Sequence, residues 1–164
     1  MYKIQNSYPV IEKNNANIMD ARRLMEVYAG HDSETTLMMC FRYGAFVTKD
    51  DKLADLLMNI ANDDMLHQEL LAKCILVSGG TPVFGDNHRF WNGGFVNFTT
   101  TPQILLKNNL KTKQNFIAMY EQLIPHINNP SIVATIERIL IDEENHCEKL
   151  MDAISNMENT ANKT

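Results

Sequence analysis

The sequence predicts an all-α protein, folded as a four-helix bundle of two antiparallel hairpins. Three observations favour this class. Apolar residues recur at helical spacing through four long stretches of the chain. The 164 residues include only seven glycines and five prolines, so few positions interrupt those stretches. One long connection separates them, and no segment shows the sustained alternation of a β-strand.

Four helices are expected, at about residues 16–48, 52–77, 102–127 and 131–157. Gly30 is a candidate break in the first helix, and Gly79-Gly80 is expected to end the second. Thr101 and Pro102 mark the start of the third, because a hydroxyl cap followed by proline is typical of a helix N-terminus. The apolar stripes of the second and fourth helices include Leu53, Leu56, Leu57, Ile60, Leu70, Leu71, Ile132, Ile136, Ile139 and Leu140.

Residues 79–101, GGTPVFGDNHRFWNGGFVNFTTT, form the long connection. The first and second helices are joined tightly, as are the third and fourth, so each pair should form an antiparallel hairpin. The long segment then carries the chain from one hairpin to the other, as in bundles with a single long crossover. A chain of 164 residues fits one domain, so residues 1–164 are expected to form a single unit.

Composition excludes several classes of function. The formal net charge is −5 and no long run of lysine or arginine occurs, which argues against a nucleic-acid or anionic-membrane surface. No apolar run reaches the length of a signal-peptide core or a membrane span. Cys40, Cys74 and Cys147 are odd in number and widely spaced, without a CxxC pair, so they are interpreted as reduced thiols of a cytoplasmic protein.

An internal repeat with an offset of 79 residues relates the two halves of the chain. It places DDMLHQELL, residues 63–71, on DEENHCEKL, residues 142–150. A fixed offset across both halves predicts two related helical hairpins. The matched pairs are Asp63 with Asp142, Asp64 with Glu143, His67 with His146, Ile60 with Ile139, Glu34 with Lys113, and Phe41 with Tyr120.

Each half carries an acid three residues before a histidine: Asp64 before His67, and Glu143 before His146. Residues i and i+3 share a helix face about 5 Å apart, so an acid and an imidazole so placed can grip one metal ion. Two such pairs on facing helices, with one glutamate from each of the other two helices, form the di-iron or di-manganese carboxylate site. Glu34 is the expected single ligand on the first helix. The alternative for each pair is an ordinary solvated helix face.

Several segments resemble the ferritin-like superfamily, and within it the branch of bacterial manganese catalases and rubrerythrin-type domains. The resemblance covers about residues 15–155 and is most specific in the paired acid-x-x-His motifs and in WNGGFVNF. The other segments that carry it are YAGHDSETTLMMCFRY, IANDDMLHQELLAKCILVSGGTP, RFWNGGFVNFTT and ILIDEENHCEKL.

This resemblance implies two iron or manganese ions held by four carboxylates and two histidines, with peroxide, oxygen or ferrous iron as substrate. It implies a tyrosine near the metals, for which Tyr120 is the candidate, whereas its repeat partner Phe41 has no hydroxyl. Carried over, the metal ligands are Glu34, Asp64, His67, Glu143 and His146, with Asp64 a shortened glutamate. A homo-oligomer is also expected.

Lys113 departs from the implied pattern, because it stands where the fourth carboxylate is expected. An ammonium group has no lone pair for a metal, and the exchange alters the charge of the site by two units. Three outcomes are open. Lys113 takes the place of one metal by pairing with Glu34 and Glu143, leaving one ion or none; it turns aside while His31 or Asn109 completes a two-metal site; or it is a deprotonated functional amine.

Two function hypotheses follow. The first is a metal-binding redox protein acting on peroxide, oxygen or ferrous iron, with a site reduced by Lys113 and one or two ions per chain. The second is a metal-free, non-catalytic relative with a structural or assembly role. Rubrerythrin-type electron transfer is disfavoured, because the sequence has no CxxC pair for a rubredoxin iron.

Overall fold

The computed structural model describes residues 7–13 and 16–161 of the chain. Five α-helices form the bundle: α1 Ile18–Ala29, α2 Glu34–Val47, α3 Asp51–Val77, α4 Pro102–Leu123 and α5 Pro130–Ala161. α1 and α2 together occupy the place of the first expected helix, α3 that of the second, and α4 and α5 those of the third and fourth. Within the described ranges the sole β-pairing is an isolated bridge between Gly85 and Phe90, so the all-α prediction is confirmed.

The first expected helix is interrupted at Gly30. The Gly30 N–H still bonds the Glu26 carbonyl, but its backbone then turns extended. A side chain there would bring a Cβ to 2.5 Å from the Glu26 carbonyl oxygen, so the turn needs glycine. Ser33 restarts the helix, because its side chain accepts a hydrogen bond from the Thr36 N–H. The interruption makes Glu34 the first residue of α2.

The other helix ends follow local chemistry. α3 ends before Gly79, whose φ of 86° lies in the left-handed region that glycine tolerates. α4 begins at Pro102 as expected, but the Thr101 hydroxyl makes no capping hydrogen bond, so that part of the prediction is wrong. The helix ends at Leu123, and a short 3-10 turn, Ile124–His126, follows it. The proline inside that turn, Pro125, has no N–H to continue an α-helix. The fourth expected helix, α5, runs on to Ala161 instead of ending near residue 157.

The crossover between α3 and α4 is held to the bundle by its aromatic residues. The Trp91 indole N–H donates to the Thr36 hydroxyl over 2.9 Å, and the Trp91 and Phe95 rings meet edge to face. The Tyr43 hydroxyl donates to the Phe98 carbonyl over 3.0 Å. The long segment is therefore fixed against α2 and lies outside the core that the helices form.

The interior combines a continuous apolar core with a set of buried charged groups. Apolar residues of all five helices pack together in that core, and the three cysteines are buried and free. None of the described helices has the length and apolar character needed to cross a membrane. The assignment of residues 1–164 to one domain remains a prediction, because residues 1–6, 14, 15 and 162–164 lie outside the described part.

Candidate metal centre

The predicted ligands converge in the interior of the bundle. Each of the five side chains is at most 1% exposed, and they come from three helices. Four of them offer ligand atoms that all lie within 4.8 Å of one another, namely Glu34 from α2, Asp64 and His67 from α3, and Glu143 from α5. His146 lies outside this group of four but close beside it, with its Nδ1 3.5 Å from Glu143 Oε1.

Local structure explains how Glu34 reaches the centre. Glu34 is the first residue of α2, so its carboxylate lies at the positive end of that helix dipole, which favours a negative charge. The Tyr120 hydroxyl of α4 donates to Glu34 Oε1 over 2.9 Å. Tyr120 is fully buried, and its hydrogen bond fixes Glu34 Oε1, whereas Glu34 Oε2 has no hydrogen-bond partner among the described residues.

Lys113 lies inside the cluster, and its side chain is fully buried. Its ammonium donates to Asp64 Oδ1 over 2.9 Å and to Glu143 Oε2, and it lies 5.4 Å from the centroid of the Phe41 ring. Each of these two carboxylates thus gives one oxygen to Lys113 and keeps the other for a different partner. The ammonium occupies the position between the acids of the two acid-x-x-His pairs.

Two details of the sequence prediction for Lys113 are wrong. Its second ion-pair partner is Asp64 and not Glu34, since the ammonium lies 2.9 Å from Asp64 Oδ1. His31 does not complete the site, since its side chain is 55% exposed and pairs with Asp32. The contacts favour a protonated amine over the deprotonated alternative: although burial opposes the charge, the flanking Asp64 and Glu143 carboxylates raise the pKa of Lys113 above its ordinary value.

Asn109, the other candidate for completing a two-metal site, is buried on α4 one turn before Lys113. Its Nδ2 has no hydrogen-bond partner within the described part of the chain. That atom is a donor, and among the described residues no hydrogen bond joins Asn109 to the four grouped ligands, so its role at the centre stays a prediction.

Unpartnered polar atoms identify where a cation fits. Among the described residues, the buried side-chain atoms without a hydrogen-bond partner are Glu34 Oε2, Asp64 Oδ2, His67 Nδ1, Asn109 Nδ2, Glu143 Oε1 and His146 Nδ1. Four of these six atoms belong to the four residues whose ligand atoms lie within 4.8 Å. Leaving buried polar atoms unsatisfied is costly, so this arrangement needs a further partner. Three carboxylates and one imidazole suit manganese or iron.

Charge counting gives the same result. The three buried carboxylates carry −3, and Lys113 carries +1. A single divalent ion beside two neutral imidazoles would bring the total to zero. Without the ion, and despite the burial of His67, the charges and hydrogen bonds of Glu34, Asp142 and Glu143 raise its pKa well above the ordinary value, so a protonated His67 supplies part of that charge. Without that ion, burial and the nearby Glu143 charge raise the pKa of Glu34, and burial raises the pKa of Asp64 to about 7. Burial is the first cause of both shifts, because it penalises the charged form of each carboxyl group.

An aspartate contacts the Nε2 atom of each histidine, on the side away from the centre. The 79-residue repeat aligned these two aspartates, but no sequence pattern assigned them a role at the site. His67 Nε2 lies 3.4 Å from Asp142 Oδ2, and His146 Nε2 lies 3.2 Å from Asp63 Oδ2. Each aspartate therefore serves the histidine of the other half, and each imidazole turns its Nδ1 toward the centre. The match of Asp63 with Asp142 in the 79-residue repeat was the available signal.

Tyr8 was also missed. Its hydroxyl donates to Asp142 and lies 3.0 Å from His67 Nε2, although the residue stands 59 positions before that histidine. Burial raises the pKa of Tyr8 to about 12, so the hydroxyl keeps its proton at neutral pH. Despite its burial, the pKa of Asp142 is lowered to about 2 by hydrogen bonds from His67, Tyr8 and Arg138. Nothing in the segment SYPVIEK marks this role.

Two proteins of known structure share the arrangement of these helices. KatB, a manganese catalase from Anabaena PCC7120, superposes with a TM-score of 0.88 at 20% identity, covering 96% of this chain and 81% of KatB. The dodecameric thioferritin of Bacteroides fragilis, a bacterioferritin-related protein, gives a TM-score of 0.71 at 16% identity, covering 90% of this chain and 92% of that protein. The chain has a ferritin-like fold.

The ferritin-like chain is also similar in sequence to a protein named probable manganese catalase from Clostridium acetobutylicum. The two are 24% identical over 158 residues, which cover 83% of this chain and 70% of that protein. No protein-family model matches the chain. The resemblance to the manganese-catalase branch, inferred from the paired motifs, is thus confirmed by sequence and fold together.

Proposed function

We propose that this chain binds one manganese or iron ion through Glu34, Asp64, His67 and Glu143, and uses it for redox chemistry on hydrogen peroxide. The observation that carries the proposal is the division of oxygens in the cluster. Lys113 takes one oxygen from Asp64 and one from Glu143. The remaining oxygens of the same acids, together with Glu34 Oε2 and His67 Nδ1, make no hydrogen bond among the described residues, and His67 Nδ1 lies 3.1 Å from Glu143 Oε1.

In this proposal Lys113 stands in for a second metal ion. It supplies one positive charge where a divalent ion would supply two, and its hydrogen bonds fix the two acids shared by the two positions. His146 then remains beside Lys113 and does not bind the ion. The resemblance to manganese catalases supports manganese as the first candidate metal and peroxide as the first candidate substrate.

The chain's own residues prepare the site for that chemistry. Tyr120 orients Glu34, and Asp142 orients His67. The complete burial of the three carboxylates keeps bulk water from the cluster and strengthens its electrostatic interactions. A bound manganese or iron ion would supply a reversible change of oxidation state, which the disproportionation of two peroxide molecules into oxygen and two water molecules requires.

Metal content and peroxide consumption test this function. We expect protein purified from cells supplemented with manganese or iron to hold one ion per chain by elemental analysis, and the loaded protein to consume peroxide. A Glu34→Gln variant should lose both properties. Glu158→Gln is the matched control, because Glu158 pairs with Lys107 on the exposed surface. Two ions per chain would contradict the assigned role of Lys113.

The dependence of metal binding on pH provides an independent check. Because the pKa of Asp64 is about 7, a proton competes with the metal for this carboxylate below neutral pH. We expect Mn²⁺ affinity to fall about tenfold from the plateau above pH 8 to pH 6, since one proton must leave for each ion bound. The raised pKa of Glu34 acts in the same direction. Titrations with Mn²⁺ at pH 6, 7 and 8 measure the effect, and a flat profile would contradict it.

A metal-free structural role is the second candidate. The observation that favours it is Lys113 itself, which already satisfies one oxygen of Asp64 and one of Glu143. The raised pKa values of Glu34 and Asp64 also allow protons to neutralise the cluster. Protein that holds no ion after growth in either metal, and that consumes no peroxide, would favour this role over the redox function.

We also propose that the chain assembles into a homo-oligomer. The support is the fold shared with the Bacteroides fragilis thioferritin, whose structure is a dodecamer. A cytoplasmic location remains a prediction from composition and cysteine usage. Light scattering of the purified chain would show the oligomeric state, and a monomer at micromolar concentration would contradict it.

A further inference from the structure

The two histidines of the cluster are held to very different extents. Asp142, the partner of His67, has a side chain that is 6% exposed, whereas Asp63, the partner of His146, has one that is 31% exposed. Within the described part of the chain, Asp63 contacts His146 and has no second hydrogen-bond or ion-pair partner. The repeat therefore placed two equivalent aspartates, but only one of them is built into a larger network.

Asp142 is held by two further side chains. Arg138, one turn earlier on α5, donates from Nη1 to Asp142 Oδ2 over 2.6 Å, and the Tyr8 hydroxyl donates to the same oxygen. The Arg138 guanidinium lies 4.7 Å from the centroid of the Tyr8 ring. Because the Tyr8 hydroxyl also lies 3.0 Å from His67 Nε2, the four groups form one interlocked cluster. None of the four can turn without breaking a contact of another.

Contacts between residues 7–13 and the start of α5 fix the position of Tyr8. Tyr8 belongs to the extended segment 7–13, which lies along the start of α5. The Glu12 N–H donates to Ser131 Oγ over 3.0 Å, and Asn129 Nδ2 donates to the Glu12 carbonyl over 3.1 Å. Ile11 and the Tyr8 ring pack against the apolar core. The segment is thus fastened at both ends, and its tyrosine reaches the metal centre.

We propose that Tyr8, together with Arg138, is a positioning residue for metal binding. Through Asp142 it fixes the His67 imidazole with Nδ1 directed at Glu34 and Glu143, at distances of 3.4 and 3.1 Å. This inference rests on the proposed single-ion site, in which His67 is a ligand and His146 is not. Asp142, which holds His67, has two further partners, whereas Asp63, which holds His146, has none among the described residues. This agrees with His67 alone being a ligand, because only a ligand needs a fixed orientation.

The test compares Mn²⁺ dissociation constants of the wild-type chain and single variants. Loss of an outer partner of a metal-binding histidine typically weakens affinity by about 10- to 100-fold, and we expect about tenfold for Tyr8→Phe. That variant keeps the ring over Arg138 and removes only the hydroxyl. Tyr43→Phe is the matched control, because it removes a hydroxyl that bonds the Phe98 carbonyl at the surface. Both Tyr43→Phe and Asp63→Asn should stay within about threefold of wild type.

Urea unfolding of the metal-free variants separates positioning from stability. A purely structural role for Tyr8 would lower the free energy of unfolding and leave the dissociation constant unchanged. Asp142→Asn provides a second variant, which should also weaken Mn²⁺ binding at least tenfold.

The outcomes distinguish this inference from the proposed function. If wild type binds one ion and both Tyr8→Phe and Asp142→Asn bind as tightly, the inference alone is overturned. If Asp63→Asn weakens binding as much as Asp142→Asn does, the assigned difference between the two histidines is overturned. If wild type binds no Mn²⁺, the proposed function fails and the inference falls with it.

Discussion

Replacing Lys113 by methionine should destabilise the metal-free protein by about 3–5 kcal/mol at pH 7, the cost of removing one partner from a buried ion pair. Methionine is similar to lysine in length, so the change removes the charge without opening a large cavity. Asp64 and Glu143 would then face each other without the ammonium that now bonds both. Urea unfolding in the presence of a chelator measures the effect.

Two comparisons make this result specific to the buried charge. The loss should be smaller at pH 5, because protonation of the two acids relieves their repulsion. Lys107→Met is the matched control on the same helix, where Lys107 pairs with Glu158 and both side chains are about half exposed. A surface pair of this kind contributes at most about 1 kcal/mol. A Lys113→Met variant as stable as the control would contradict the buried ion-pair assignment.

Replacing Lys113 by glutamate should raise metal binding from one ion to two per chain. The variant restores a carboxylate at the position that the 79-residue repeat pairs with Glu34. It also frees Asp64 Oδ1 and Glu143 Oε2 from the ammonium, and His146 Nδ1 lies 3.7 Å from the first of these oxygens. Four carboxylates balance the charge of two divalent ions, so the second position becomes both neutral and rich in ligands.

Elemental analysis of Lys113→Glu protein produced in manganese-rich medium checks this expectation. Because four buried carboxylates repel one another, the metal-free variant should be less stable than wild type, and Mn²⁺ should raise its melting temperature more than it raises that of wild type. Lys113→Met is the control, since a thioether leaves the fourth carboxylate missing. A Lys113→Glu variant that binds no more than one ion would contradict the assignment of position 113 to the second metal.

The convergence of the ligands could be predicted because it depends on regular geometry. An acid and a histidine three residues apart share a helix face, and a fixed offset of 79 residues places the second pair opposite the first. The same reasoning located Lys113 in the interior. It could not identify which carboxylates the Lys113 ammonium would contact. Helical register indicates the helix face on which a side chain lies, but it does not indicate how far that side chain extends.

The remaining features depend on contacts that no local pattern encodes. Tyr8 reaches His67 from an extended segment without periodicity, so its role became visible only with the packed structure. The end of α1 was anticipated at Gly30, but the cap at Ser33 that makes Glu34 the first residue of α2 was not. Asp63 and Asp142 were aligned by the repeat, yet their pairing across the halves follows from the docking of α3 against α5.

That crossed pairing bears on how such a protein could have arisen. Asp142 of the second hairpin holds His67 of the first, and Asp63 of the first holds His146 of the second. The proposed ion would likewise take ligands from both hairpins. A single ancestral hairpin could therefore have completed this centre only by meeting another copy of itself. If the two hairpins arose by duplication, fusion of the copies through the crossover would make that association intramolecular, and it would allow one copy to exchange a ligand for a lysine while the other keeps its own.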